Sequence, residues 1–102
     1  MKIKIYQINS ERDSKRIKFF SYDSIKQLVG IDYLTRDLYD EVFSGEVNCQ
    51  NLEEIYQLFN LTRPEGFTGH SLSMTDIVEI LDDTGLKGCH FCDWIGFKKI
   101  KF

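Results

Sequence analysis

A chain of 102 residues, 42% hydrophobic with eight Phe and five Tyr, can close one packed core and has no room for a second, so a single domain over residues 1–102 is expected. Thirteen basic residues against sixteen acidic ones leave a net charge of −3, which excludes the net basic surface that general duplex binding requires. No apolar run approaches the roughly 18 residues that span a bilayer, and the alternating start Lys2-Ile3-Lys4-Ile5 is unlike a secretory signal; a cytoplasmic protein with no membrane partner is expected.

Residues 2–8 set Ile3 and Ile5, then Tyr6 and Ile8, against lysine and glutamine and predict a first strand. The polar stretch 9–14 reads as a loop, and residues 16–21 as a second, aromatic strand carrying Ile17 and Phe19 on one face. Asp23 or Ser24 offers a cap for a short helix over 24–29, which Gly30 ends. Residues 33–48 fit both periods. Gly45 and the Tyr, Val and Phe content favour a strand with turns.

Residues 52–59 predict the best helix, capped by Asn51, with Glu53 and Glu54 in the first turn and Leu52, Ile55, Tyr56 and Phe59 as an apolar stripe. Pro64 ends that unit. Residues 76–81 read as a strand, 82–85 as a turn, and 89–95 with 97–102 as a last strand or strand pair. Interspersed strands and helices imply an α+β domain, a small, largely antiparallel sheet with two helices packed on one face.

Three groups of residues raise the question of chemistry. In Gly69-His70-Ser71-Leu72-Ser73 a histidine sits beside two hydroxyls, yet sequence neighbours rarely converge as base and nucleophile, and no third residue orients them. A structural loop is expected instead, with Gly69 supplying an unusual backbone angle and Ser71 and Ser73 bonding backbone groups. Cys49, His70, Cys89 and Cys92 formally supply a tetrahedral zinc set. Residues three apart on a strand point to opposite faces, however, and no second closely spaced pair exists, so packing thiols and no metal or cofactor are expected. Asp82 and Asp83 read as turn formers beside Gly85, and Asp93 as a cap on the bend before Gly96 or a partner of the Gly69 loop.

Tyr6, Phe19, Phe20, Tyr22, Tyr33, Tyr39 and Phe43 could fill the core, or could stack single-stranded bases beside Arg16 and Lys18. The core reading is the expected one.

The order of features from residue 36 to 102 is distinctive: an aromatic helix, Pro64, Gly69-His70-Ser71-Leu72-Ser73, Asp76-Ile77-Val78, Asp93 and Gly96-Phe97. It resembles the YodL-like domain, a small module of conjugative elements, phages and large mobile-element proteins of Gram-positive bacteria. The resemblance implies a setting of conflict or transfer between a mobile element and its host, and it names no reaction. The Gly69–Ser73 loop is then one that the family folds through or binds through.

A non-enzymatic inhibitor of a host defence nuclease is therefore expected, an anti-CRISPR protein acting on a type II nuclease or its ribonucleoprotein complex being the most concrete form. Asp37, Asp40, Glu41 and Glu46, or Glu79, Asp82 and Asp83, would pair with the Arg and Lys that grip nucleic acid, with Tyr39 or Phe43 as an exposed anchor. The alternative is a nucleic-acid-binding accessory of conjugation or phage replication, using Arg12, Lys15, Arg16, Lys18, Lys98, Lys99 and Lys101.

Overall fold

A computed structural model describes residues 1–102. Its centre is strand β1 (Lys2–Ile8), which pairs antiparallel with β2 (Tyr39–Glu46) on one side and β3 (Ile77–Ile80) on the other. β4 (Gly88–Cys92) and β5 (Phe97–Ile100) continue the sheet, again antiparallel, in the order β2-β1-β3-β4-β5. The chain has the expected α+β architecture: a five-stranded antiparallel sheet and two helices.

The placement of the helices differs from expectation. Helix α1 (Tyr22–Leu28) buries Ile25 among Tyr6, Ile8, Ile77 and Phe91, whereas helix α2 (Leu52–Leu61) buries Ile55 and Phe59 among Ile3, Ile5, Val78 and Ile80. Successive strand residues point to opposite faces. Ile77 and Val78 therefore place the two helices on opposite sides of the sheet. The reason is that β1 and β3 are apolar on both faces, so each face needs its own cover. A register shift between Ile5 and Tyr6 in the pairing with β2 marks a bulge, which leaves Val42 without an opposite residue.

Local chemistry explains most boundaries. Asn51 caps α2 as expected, its side chain accepting from Glu54 N at 2.8 Å. The first helix is capped by Ser21 rather than by Asp23 or Ser24, because the Ser24 amide is the donor to the Ser21 hydroxyl. Gly30, at φ +91°, ends it, its N–H donating to Ile25 O.

Residues 16–21 are irregular backbone with a turn at Lys18 and Phe19, not the expected strand. The buried Asp13 carboxylate accepts from Ile17 N, Lys18 N and the Tyr33 hydroxyl, which folds the backbone over it. Arg16 and Phe19 adopt positive φ angles of 53° and 74°, which no strand allows. Two short 3-10 turns, Ile31–Tyr33 and Arg36–Leu38, precede β2, in keeping with the strand-with-turns reading of that region. The expected strand over 89–95 stops at Cys92. Asp93 N–H donates to Gly96 O at 2.9 Å, and the chain reverses there into β5.

Candidate functional site

The most polar point of the interior lies where β1 meets the segment before β3. The fully buried Asp76 accepts at Oδ2 from Gln7 Nε2 (3.0 Å) and from Ser73 N (2.8 Å). Gln7 also donates to His70 O at 2.8 Å and accepts from His70 N at 3.1 Å, as a sheet neighbour would. Burial pushes the Asp76 carboxyl up to about 8 against the opposing effect of these donors. Asp76 and Gln7 organise the loop, and sequence reasoning gave neither a role. The available signal was a Gln inside an otherwise apolar strand.

Gly69 is needed here for space rather than for an unusual angle. Its φ is not positive, but a Cβ would collide with the Gln7 amide and stand 3.0 Å from Val42 Cβ. His70 Nδ1 bonds Ser71 O at 2.7 Å, so this nitrogen carries the proton, and the Ser73 hydroxyl donates to the same carbonyl at 2.8 Å. Neither serine is hydrogen-bonded to a histidine nitrogen, so the pair that nucleophilic catalysis requires is not formed. Burial holds the imidazole below its usual pKa, and Nε2 is buried without a partner.

Beside this cluster, the fully buried Thr75 takes a φ of +75°. A β-branched residue is an outlier in that region, at a cost on the order of 1–3 kcal/mol. It is held from three sides: Thr75 N donates to Cys92 O, Tyr39 OH donates to Thr75 O at 2.7 Å, and Phe19 N donates to Thr75 Oγ1. The Phe19 ring meets His70 edge-on at 5.6 Å. Asp93 takes no part in the loop. Its Oδ1 accepts from Trp94 N and Tyr22 N, fastening the β4–β5 tip to the start of α1.

The two acidic groups, far apart in sequence, flank β1 from either side. Lys4 lies opposite Glu79 in the pairing with β3 and binds Glu41 of β2 at 3.2 Å, so one face carries Glu41, Lys4 and Glu79 in a row. Tyr6 OH donates to Glu79 at 2.9 Å. Asp40 pairs with Arg12 at 2.7 Å, which together with Asn9 lowers the Asp40 pKa. Glu46 lies 3.0 Å from the Met1 ammonium, and Asp82 accepts from Lys2 N. Asp37 and Asp83 are exposed. Tyr39 and Phe43 are only 5% and 6% exposed, so neither can be the surface anchor expected of it. Their rings pack on the two faces of the sheet, Tyr39 against Phe102 and Phe43 against Phe59.

The cysteines and His70 do not form a metal set. Cys89 lies in the α1-side core and Cys49 in the α2-side core, and nowhere do three donors converge. Burial, followed by the nearby Asp76 and Asp93 charges, pushes the Cys92 thiol up to about 12. Of the proposed stacking aromatics only Phe19 and Phe20 are exposed; Arg16, Lys18 and Phe19 line a surface hollow with Ser10 and Asp13.

Two residues that the sequence reading placed in a strand stand out on the surface. Trp94 and Ile95 are 72% and 74% exposed at the hairpin tip. Trp94 lines a hollow with Tyr56, Phe97 and Glu53, and Tyr56 contacts Phe97 edge-on. The legible signal was Asp-Trp-Ile-Gly, a turn bracketed by Asp93 and Gly96.

No helix is long and apolar enough to cross a membrane. The family model described as the YodL-like domain matches residues 2–102, thirty-four residues further toward the N-terminus than the resemblance read from residue 36. No curated protein and no solved structure matches the chain.

Proposed function

The chain belongs to the YodL-like domain family, and from that premise we propose that it is a non-enzymatic interaction protein of a mobile element. It acts in the cytoplasm by occupying a host defence nuclease, a type II CRISPR nuclease with its guide RNA being the most concrete target. The observation that carries the binding reading is the Trp94–Ile95 tip. Two large apolar side chains stand in solvent on a hairpin fastened by Asp93, beside the Tyr56–Phe97 shelf. Trp and Tyr are the residues on which interface energy concentrates. A surface of this kind on a rigid element loses little freedom on binding.

The acidic residues have a smaller part than the sequence suggested. Glu41, Asp40 and Glu46 have internal cationic partners. Asp37 and Asp83 stay exposed without an ion pair, available to a target's Arg and Lys. The polar loop supports the same reading, since its donors and acceptors are largely spent on Gln7 and on its own backbone.

The test is capture of purified nuclease–guide complex by the tagged chain, followed by a DNA cleavage assay. Stoichiometric capture with lost cleavage, abolished by Trp94→Ala with Ile95→Asp, is the expected outcome. Full cleavage with no capture sinks the nuclease target. Capture that survives the double substitution sinks the tip as anchor.

A second reading rests on the hollow lined by Arg16, Lys18 and the half-exposed Phe19, a cationic and aromatic pairing suited to a single-stranded nucleic acid. Gel shifts with bare oligonucleotides over a salt series decide it. Binding that weakens steeply with salt and vanishes in Arg16→Glu/Lys18→Glu supports this reading. Absence of any shift removes it.

A further inference from the structure

The two edges of the sheet are built differently. The outer side of β2 is occupied over its first half: Val42 O accepts from Thr68 N and Thr68 Oγ1, and Tyr39 O accepts from Arg12. On β5, the last strand in the sheet order, residues Phe97–Ile100 pair only with β4, and no other backbone or side-chain group bonds their outward N–H and C=O. A row of free donors and acceptors of this kind is a template for one more strand.

The surroundings of that edge carry the argument further. An added strand sends alternate side chains to opposite faces. On the α1 face a hollow next to β5 is lined by Tyr22, Ile31, Leu34 and Ile100. On the α2 face the hollow of Tyr56, Trp94 and Phe97 adjoins the start of the same strand. Hollows with apolar walls thus stand on both sides of one open edge, rimmed by Lys99 and Lys101 on the α1 face and by Glu53 and Asp93 on the α2 face. Lys98, Lys99 and Lys101 give it positive charge on a chain whose net charge is −3. Lysines repel a second copy of the same edge and favour a carboxylate-bearing strand.

We propose that β5 is a β-addition site whose ligand is an extended segment of a partner protein, alternating apolar side chains with acidic ones. This deepens the interaction-protein reading and rests on it, but does not depend on the nuclease being the target. The main chain supplies hydrogen bonds, the two hollows take alternate side chains, and the lysines select the charge.

The test begins with a phage-displayed library of random twelve-residue peptides panned on the immobilised chain. The most enriched sequence is then synthesised and titrated into isotope-labelled protein. The expected result is enrichment of peptides that alternate apolar and acidic residues. The bound peptide should protect amides within Phe97–Ile100 from hydrogen exchange, and Lys98→Glu/Lys99→Glu, checked to be folded by circular dichroism, should weaken it at least tenfold.

Enriched peptides without acidic character, or protection confined to the Trp94–Ile95 tip, overturn the proposal. Protection of β5 amides in the free protein that rises with its concentration also overturns it, since the occupant is then a second copy. The capture assay separates the two levels. A target held through Trp94 but indifferent to Lys98→Glu/Lys99→Glu leaves the binding reading standing and removes the strand addition. A wild-type chain that holds neither peptide nor target removes both.

Discussion

The hydroxyl of Tyr39 donates to the carbonyl of Thr75 at 2.7 Å, and that bond holds a buried β-branched residue in a left-handed backbone conformation. It joins β2 to the segment before β3 across the α1-side core. Replacing Tyr39 with Phe keeps the ring and strands the carbonyl, so a loss of about 1–3 kcal/mol is expected. Urea denaturation measures it. A change within a few tenths would mean that Thr75 needs no such restraint.

Gly69 sits where a Cβ would press on the Gln7 amide and Val42. Gly69→Ala is expected to cost at least about 2 kcal/mol, in the range of overpacked sites. Because the clash is chiefly with Gln7, a double-mutant cycle with Gln7→Ala should show a coupling on the order of 0.5–3 kcal/mol. Additive losses would place the cost elsewhere.

Asp76 titrates near 8 in the folded protein against 3.8 as its ordinary value. The folded state therefore holds a proton that the unfolded chain has released, and stability attributable to this group falls as pH rises from about 4 to about 8. The slope is about 1.4 kcal/mol per pH unit inside that window. Asp76→Asn mimics the protonated acid and cannot titrate. The stability difference between variant and parent should grow in the variant's favour from pH 5 to pH 8. A constant difference across that range would show that the carboxyl is ionised throughout. Comparing the two proteins also cancels the opposing contribution of His70, whose lowered pKa destabilises the fold as pH drops.

The only tryptophan, Trp94, is largely in solvent. Its emission should be red-shifted and readily quenched by acrylamide in the free protein. Trp94→Ala should move stability by no more than about 0.5 kcal/mol, as for surface positions without special contacts. A blue-shifted, poorly quenched spectrum would contradict the exposed tip.

How far the sequence revealed this molecule depends on which physical signal each segment carries. Asn51 with Glu53 and Glu54 marks the start of α2 because capping is a local interaction, and the structure begins the helix there. The run 16–21 misled because alternation of apolar residues carries no trace of backbone handedness. What bends it is a carboxylate at Asp13, three residues earlier than Arg16. Trp94 and Ile95 extend an apolar run, so periodicity joins them to β4, while the turn they occupy is set by Asp93 and Gly96. The buried cluster is the least legible part. Gln7 and Asp76 are distant in sequence, and only the antiparallel pairing of β1 with β3 brings them within hydrogen-bonding reach. Tyr39 and Phe43 were visible as aromatics, but their burial follows from which faces of β2 the two helices cover.

The contrast between the two sheet edges also bears on stoichiometry. With Thr68 and Arg12 on the outer carbonyls of Val42 and Tyr39, strand pairing is obstructed along the first half of β2, whereas β5 is open along its length. Two copies meeting there would be related by a two-fold axis and would leave outward only the β2 edges, obstructed over their first half. A partner segment seated on β5 alone would give a complex of one segment per chain.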